Sequence, residues 1–540
     1  MTRTPSFAAL AAACVLAGAH AHAQQPTPAP TPPPLPAPPP AWASNNPVLQ
    51  RIWDEGMNRS QVQPMGQALM DSVGPRLTGS PNIQGAYQWA IQQYAKWGIT
   101  ARAQQYGTWR GWQRGYTHVD LVAPRVRTLE GTMLAWSPGT NGPVNGPVTI
   151  LPDLADSAAF RAWLPNARGK YVLVSYAQPT CRPDSNWVRW ATPESFERIK
   201  AERTAGTQAW TARIQKTGYD TRTLPRALED AGALGVITHL WSQGWGVDKI
   251  FNARTMRVPT LDLSCEDYGL VYRLARNNQN PQLRVDAQAQ FPGDLPASNV
   301  IAELRGGRMA NEYVVLSAHF DSWDGGSGAT DNGTGTVVMM EAMRILKAVY
   351  PQPRRTILAG HWSGEEQGLN GSRAFVEDNP RVVQGLQALF NQDNGTGRIA
   401  NFSYQGFTGV APYFQRWFAQ LPPLLADSIH FADPGTPSGG GSDNASFVCA
   451  GAPAFGLGSL GWDYGTYTWH TNRDTYDKVV WDDVRRNATL TAMLAYLASE
   501  EPRRLPRERI TEFPVDPRTG QRGTWPQCQS PARNITQSTR

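Results

Sequence analysis

The chain from Asn299 onward alternates strand-like apolar runs with helical patterns, and this alternation constrains the fold more than any other feature. The pattern predicts strands at 300–304, 313–318, 355–361 and 388–390, and helices at 334–350 and 372–377. Such alternation is typical of an α/β sheet. We therefore predict a mixed, twisted sheet with helices on both faces. Binding sites on sheets of this kind lie beyond the strand ends.

Metal-binding side chains occur where these strands end or in polar loops beside glycine. They are His319 with Asp331, the pair Glu365 and Glu366, then Asp393, and His470. Two imidazoles with several carboxylates suit two Zn²⁺ ions, because Zn²⁺ accepts both nitrogen and oxygen ligands. Three carboxylates and one hydroxide would balance the charge of two such ions. That hydroxide is the nucleophile that a hydrolase needs.

The adjacent glutamates Glu365 and Glu366 are expected to have different roles. Neighbouring side chains of an extended segment point in opposite directions. One glutamate would bind metal, while the other would act as general base on the water and then as general acid to the leaving amine. We also expect the Asp321 carboxylate to accept the second ring N–H of His319 and so fix its tautomer.

The motifs that carry these residues resemble the signatures of the M28 family of co-catalytic zinc peptidases. They read HFDSWDGGSGATDNGTGT, SGEEQGLNGSRAF, QDNGTG and HTNRDTYDK. The resemblance covers residues 48–97 and 298–497, and the turn GPRLTGSP with the last motif is most similar to the branch around carboxypeptidase Q and bacterial aminopeptidases. One difference is Asn444, where the family often has histidine. We expect that difference to affect the substrate pocket and not a zinc ligand.

The resemblance implies the zinc exopeptidase fold and a role for each candidate residue. It implies that His319 and Asp393 hold one zinc, that Glu366 and His470 hold the other, that Asp331 bridges the two ions, and that Glu365 is the general acid and base. The segment 127–292, with short strands and Gly/Pro turns, resembles the β-rich protease-associated (PA) domain that several subfamilies insert. It contains no cluster of metal-binding residues at ligand spacing.

The first residues read as a secretory signal, with Arg3, an apolar run and a small-x-small site at Ala21–Ala23. A Pro-rich spacer follows. No later stretch is long and apolar enough to span a membrane. The predicted organisation is a signal peptide 1–23, a linker 24–43, an N-terminal part of the peptidase domain 44–126, a PA-like domain 127–292, a zinc peptidase domain 293–504 and a tail 505–540.

Export implies an oxidising compartment, in which cysteines can pair. The mature chain would carry Cys181, Cys265, Cys449 and Cys528, whose spacing selects no pairing. We expect at most one or two bridges and some buried free thiols. The net charge of +6 is small for 540 residues and shows no basic tract, so nucleic-acid binding is not expected.

Several other polar residues have structural interpretations. His239 and His361 lie within apolar strands and are expected to be packed histidines. Asp474 either orients His470 or caps the following turn. Tyr464 and Tyr467 either donate to an oxyanion or pack the loop.

The leading hypothesis is an exported di-zinc exopeptidase that hydrolyses short peptides or dipeptides. The choice among carboxypeptidase, dipeptidase and aminopeptidase stays open, as does the oligomeric state. Alternatives are a single-zinc acyltransferase similar to glutaminyl cyclase and a non-catalytic binding ectodomain. Metal content separates them: two zinc ions per chain, one, or none.

Overall fold

The computed structural model describes residues 42–513, 515 and 520–536. The predicted signal peptide and all but the last two residues of the predicted linker lie outside these residues. Within the described part of the chain, no helix is both long and apolar enough to cross a membrane.

The strands of the described residues form two sheets. In chain order they are β1 (Thr100–Arg110), β2 (Gln113–Ala123), β3 (Arg127–Leu129), β4 (Gly131–Met133), β5 (Val144–Ile150), β6 (Tyr171–Leu173), β7 (Gly235–Thr238), β8 (Thr260–Leu263), β9 (Gln282–Gln290), β10 (Asp294–Leu304), β11 (Met309–His319), β12 (Arg355–Trp362), β13 (Leu386–Asn391), β14 (Ile399–Ser403), β15 (His430–Ala432), β16 (Ala454–Ser459) and β17 (Asn534–Ile535).

Helices connect most of these strands. In chain order they are α1 (Pro47–Trp53), α2 (Val62–Gln67), α3 (Pro81–Lys96), α4 (Ser157–Trp163), α5 (Asp184–Trp190), α6 (Pro193–Lys216), α7 (Leu224–Asp230), α8 (Cys265–Arg276), α9 (Thr334–Val349), α10 (Asn370–Asp378), α11 (Pro380–Gly385), α12 (Ala411–Phe418), α13 (Pro423–Ala426), α14 (Asn444–Cys449) and α15 (Trp481–Glu500).

The first sheet has the strand order β15-β14-β16-β13-β11-β12-β10-β1-β17. Its central strands β13, β11 and β12 run parallel, whereas β10 runs antiparallel to β12. Every residue of β12 and β13 is buried, so both faces of the sheet are covered there. Helices α9 and α15 pack on β11, and α14 packs against β13. The predicted mixed α/β sheet is confirmed.

The second sheet has the order β3-β2-β9-β5-β6-β7-β8-β4. In the sequence, the first strand of this sheet is β2, which precedes the predicted domain boundary at residue 127, and the last strand is β9. We call residues 113–290 the second module. The module also contains α6, a helix of 24 residues that the sequence pattern did not indicate. Only Ile199 and Trp210 of α6 are buried, so the helix lacks the continuous apolar stripe that predicts helices from sequence.

Two disulfide bonds join the cysteines of the described chain. Cys181 pairs with Cys265, and Cys449 pairs with Cys528. The expectation of buried free thiols is therefore wrong. The second bond fastens the C-terminal segment to α14, and β17 pairs with β1. The described part of the tail is thus an irregular strap along the first sheet.

Candidate metal centre

The predicted site residues converge at one edge of the first sheet. His319 is the last residue of β11, Glu365 and Glu366 follow β12, and Asp393 follows β13. These strands are parallel neighbours, so their carboxyl ends meet at the same edge. Asp331 lies in the segment Ala329–Gly333 between β11 and α9, and its own backbone is not helical.

The Asp331 carboxylate lies between the two candidate imidazoles. Its Oδ1 is 3.2 Å from His319 Nε2, and its Oδ2 is 3.4 Å from His470 Nε2. Each imidazole nitrogen also faces a second carboxylate at 3.0 Å, from Asp393 at His319 and from Glu366 at His470. The arrangement is two neighbouring nitrogen and oxygen clusters with one carboxylate common to both.

The sixth predicted residue, Glu365, lies on the Asp393 side of the cluster. Ligand atoms of His319, Glu365 and Asp393 all lie within 4.8 Å of one another, and so do those of His319, Asp331 and Glu366. In residues 42–513, 515 and 520–536, these are the only groups of three such side chains that meet this spacing. The structure therefore brings together every residue predicted for the site.

The cluster carries more negative charge than its imidazoles balance. Burial, together with neighbouring carboxylates, raises the pKa of Glu365 and of Glu366 well above 4.5. The pKa of Asp331, in contrast, is lowered. Burial alone would raise it, but the hydrogen bond from His319 and the nearby histidines outweigh that effect. Asp331 Oδ2 and Glu366 Oε1 are buried and have no hydrogen-bond partner among the residues that the structure describes. This donor set fits divalent cations that accept nitrogen and oxygen.

The backbone at Asp331 is fixed by Asp474. The Asp474 carboxylate accepts hydrogen bonds from Thr330 N at 2.7 Å, Thr330 Oγ1 at 2.8 Å and Asp331 N at 3.0 Å. Both sequence interpretations of Asp474 are wrong, because its oxygens are used by donors that precede it by more than a hundred residues. Burial raises the pKa of Asp474 to about 7, although these hydrogen bonds favour its charged form.

Asp321 supports the site differently from the prediction. Its main-chain oxygen, and not its carboxylate, lies 2.9 Å from His319 Nδ1. A carbonyl only accepts, so Nδ1 donates a hydrogen bond to that oxygen, and Nε2 is the nitrogen that faces Asp331 and Asp393. The Asp321 carboxylate instead accepts the N–H groups of Glu365 and Glu366, at 3.2 and 3.3 Å. Asp321 therefore orients the glutamates as well as the histidine.

Arg76, within the turn GPRLTGSP, stabilises the loop after His319, a role that the sequence pattern does not indicate. Its side chain is fully buried, and its guanidinium donates to the main-chain oxygens of Phe320, Ser327 and Gly328. It thereby fixes the loop that connects His319 to Asp331. Burial lowers the pKa of Arg76 to about 10, so it remains charged at neutral pH.

The tyrosines of the His470 loop have separate roles. Tyr464 lies close enough to the site for its hydroxyl to help lower the pKa of Asp331. Burial and the nearby carboxylates raise the pKa of Tyr464 well above 10, so its hydroxyl stays protonated. Tyr467 packs beside Gly244 of the second module, where a Cβ would lie 3.1 Å from its ring.

The remaining polar candidates stay outside the cluster. His361 is buried and lies 2.6 Å from the Tyr94 hydroxyl, and His239 Nδ1 bonds Leu263 O. Both are the packed histidines that the sequence indicates. Asn444 is the first residue of α14 and is buried.

The second module contacts the His470 loop directly. Ile250 N donates to His470 O at 2.8 Å, and the Phe251 ring lies 5.0 Å from the His470 ring in an edge contact. Trp323 and Trp469 also pack on the imidazole, at 5.7 and 4.0 Å. His470 has a positive φ, which is uncommon for a residue other than glycine. The contacts with Ile250, Phe251, Trp323 and Trp469 stabilise that conformation.

Substitution of Asp474 by alanine tests whether Asp474 positions Asp331 for metal binding. The change leaves the buried donors of Thr330 and Asp331 unpaired, so we expect zinc to bind about 10- to 100-fold more weakly. A competition titration with a fluorescent zinc chelator measures this affinity. The matched control is Asp477→Ala, because Asp477 is exposed in the same loop. Equal zinc affinity in Asp474→Ala and the native protein would contradict this role.

Comparisons with known proteins show that this chain is similar to peptidases. The model of peptidase family M28 matches residues 299–495, which contain all of the clustered residues. Carboxypeptidase Q from Mus musculus is 25% identical over 459 residues, covering 84% of this chain and 89% of that protein. Carboxypeptidase Q from Homo sapiens is 25% identical over 458 residues, covering 84% and 88%.

Solved structures share the fold. The peptidase M28 precursor from Shewanella amazonensis SB2B has a TM-score of 0.63 and 21% identity, covering 85% of this chain and 97% of that one. BSAP, a zinc aminopeptidase from Bacillus subtilis, has a TM-score of 0.52 and 18% identity, covering 84% and 97%. With the family match and the convergent site, these likenesses lead to one assignment: residues 299–495 form a domain of peptidase family M28.

Proposed function

We propose that the chain is an exported exopeptidase that uses two zinc ions to hydrolyse short peptides or dipeptides. The observation that carries the proposal is the Asp331 carboxylate, which offers one oxygen to each of two clusters. Each cluster contributes one imidazole and one further carboxylate. Two N/O clusters with a common carboxylate are the donor set of a two-metal hydrolytic site.

The contacts support the following zinc ligands. His319 and Asp393 would hold one ion, Glu366 and His470 would hold the other, and Asp331 would contact both. Zinc is favoured because the set mixes imidazole nitrogen with carboxylate oxygen. The zinc aminopeptidase from Bacillus subtilis shares the fold, which supports the same metal here.

Bound zinc supplies polarisation of the scissile carbonyl and of the attacking water. Ligand atoms of Glu365, His319 and Asp393 lie within 4.8 Å of one another, so the Glu365 carboxylate would be close to a water held beside those two residues. It would take the proton of the water and deliver it to the leaving amine. The Tyr464 hydroxyl, protonated and facing the site, would donate to the oxyanion that develops on the carbonyl oxygen.

Export is supported by two features of the chain. The first 23 residues have the pattern of a secretory signal. The two disulfide bonds fit an oxidising compartment such as the periplasm or the extracellular space.

Replacement of Glu365 by glutamine tests the proton carrier. Glutamine keeps the size of the side chain but does not take up a proton, so kcat is expected to fall about 10²- to 10⁴-fold while zinc content is unchanged. Peptide hydrolysis and elemental analysis provide the two readouts. Glu197→Gln, an exposed change on α6, is the matched control. A Glu365→Gln variant with native zinc content and native kcat would refute the assignment.

A panel of dipeptides tests the reaction class. Free, N-blocked and C-blocked dipeptides are incubated with native protein, with a chelator and with zinc added back. We expect chelation to abolish hydrolysis and zinc to restore it, because the water is activated only with metal bound. Loss of cleavage on N-blocking identifies an aminopeptidase, loss on C-blocking a carboxypeptidase, and loss on both a dipeptidase. Hydrolysis that survives complete zinc removal would contradict the proposal.

A further inference from the structure

The C-terminal segment of the chain reaches back to the helix that follows the glutamate pair. We call residues 528–536 the C-terminal strap. Its first residue, Cys528, is bonded to Cys449 of α14, and its strand β17 pairs with β1. Between these two attachments the strap contacts the first residue of α10. The strap is therefore held on both sides of this contact.

The contact is a hydrogen bond to the side chain of Asn370, where α10 begins. Ala532 N donates to Asn370 Oδ1 at 2.7 Å. The next strap residue, Arg533, pairs with the last two residues of α10, Glu377 and Asp378, at 3.0 and 2.9 Å. Both ends of α10 therefore bind the strap.

The same Asn370 side chain binds the turn that carries Glu365 and Glu366. Asn370 Nδ2 lies 3.3 Å from Gly364 O and 3.2 Å from Gln367 O, the carbonyls on either side of the glutamate pair. A main-chain N–H can only donate, so the amide oxygen faces the strap and the amide nitrogen faces the turn. Asn370 is 2% exposed, so these bonds are made away from solvent.

The glutamate turn is thus held through its main chain by two side chains. The Asp321 carboxylate accepts the N–H groups of Glu365 and Glu366, and the Asn370 amide donates to the two flanking carbonyls. A general base must lie within hydrogen-bond reach of the water that it deprotonates. A displacement of about 1 Å in such a group can lower the rate about 10²-fold. The position of the Glu365 carboxylate therefore depends on how firmly this turn is held.

We propose that Asn370, itself oriented by the C-terminal strap, is a positioning residue for Glu365. It acts through the main chain of the turn and is not assigned any contact with substrate or metal. The inference rests on the proposed peptidase function, because it presumes that Glu365 carries the proton. It gives the C-terminal tail a role that its polar, irregular sequence does not indicate.

Replacement of Asn370 by alanine removes both sets of side-chain hydrogen bonds. At saturating zinc we expect kcat to fall about 10-fold or more, since residues that orient the groups of a metal site typically contribute about 10- to 100-fold. KM is expected to stay within about 2-fold, because the change leaves substrate binding intact. Asn370→Leu keeps the volume of the side chain and replaces Asn370→Ala if that variant does not fold.

The matched control lies at the other end of the same helix. Asn379 follows α10, and its Nδ2 donates to Phe375 O at 2.9 Å. Asn379→Ala therefore removes a bond of the same kind, from a side-chain amide to a main-chain carbonyl, away from the glutamate turn. It is expected to keep the native kcat.

Ala532→Pro addresses the strap in the full-length chain. Proline has no N–H, so the bond to Asn370 Oδ1 is lost, while the Asn370 amide can still donate to the turn. We expect kcat to fall about 3- to 10-fold, as for the loss of one buried hydrogen bond. Adding Ala532→Pro to Asn370→Ala is expected to cause no further fall, because the two residues act through one contact. A native kcat in Ala532→Pro overturns the role of the strap.

A second background distinguishes positioning from a general loss of stability. In Glu365→Gln, Asn370→Ala is expected to lower the residual kcat by less than about 2-fold, because the residue that it positions no longer carries the proton. The same fold-change in both backgrounds overturns the inference. So does a native kcat in Asn370→Ala, or an equal fall in Asn379→Ala. In each of these cases the peptidase function stands.

Failure of the proposed function gives a different result. If the zinc-loaded native protein hydrolyses none of the dipeptides of the panel, that function fails. Hydrogen–deuterium exchange then decides whether Asn370 holds the turn. Amides of residues 364–369 are expected to exchange about 10-fold or more faster in Asn370→Ala than in Asn379→Ala. Equal exchange in the two variants overturns the inference.

Discussion

The position of the Asp331 carboxylate is the constraint on which the rest of the metal centre depends. One of its oxygens faces each imidazole, so its backbone must be held within narrow limits. Asp474 holds that backbone through two main-chain N–H groups, and Arg76 holds the loop before it. Buried carboxylates at this density are unfavourable unless cations or donors face them. Residues from the beginning, middle and end of the chain therefore serve one carboxylate.

The second module contributes to the same centre although it supplies none of the candidate ligands. Its residues 248–251 pair with the loop that carries His470, and Phe251 packs on the imidazole. The loop that carries a candidate metal ligand is thus held by a segment more than 200 residues before it in the sequence. These contacts give the module a structural role at the site that its lack of metal-binding motifs does not indicate.

Local sequence patterns predict the first sheet and the candidate ligands, but not the residues that support those ligands. Strand and helix alternation predicts the first sheet, and each candidate ligand stands at a strand end or in a glycine loop, so sequence position alone indicates convergence. Arg76 was missed because Gly and Pro mark its segment only as a turn, and its burial depends on a loop more than 240 residues away. The roles of Asp321 and Asp474 depend on donors that only the folded chain presents. Cysteine spacing carries no information on pairing, and the mostly polar α6 gives no apolar periodicity.

Zinc content per chain is the measurement that tests the two-metal arrangement most directly. Elemental analysis is made on native protein, His319→Ala, His470→Ala and Asp331→Ala after dialysis against limiting free zinc. If Asp331 serves both ions, the native protein retains two zinc ions, each histidine variant retains one, and Asp331→Ala retains none. A native protein with a single zinc ion, or an Asp331→Ala variant that retains two, would contradict the account.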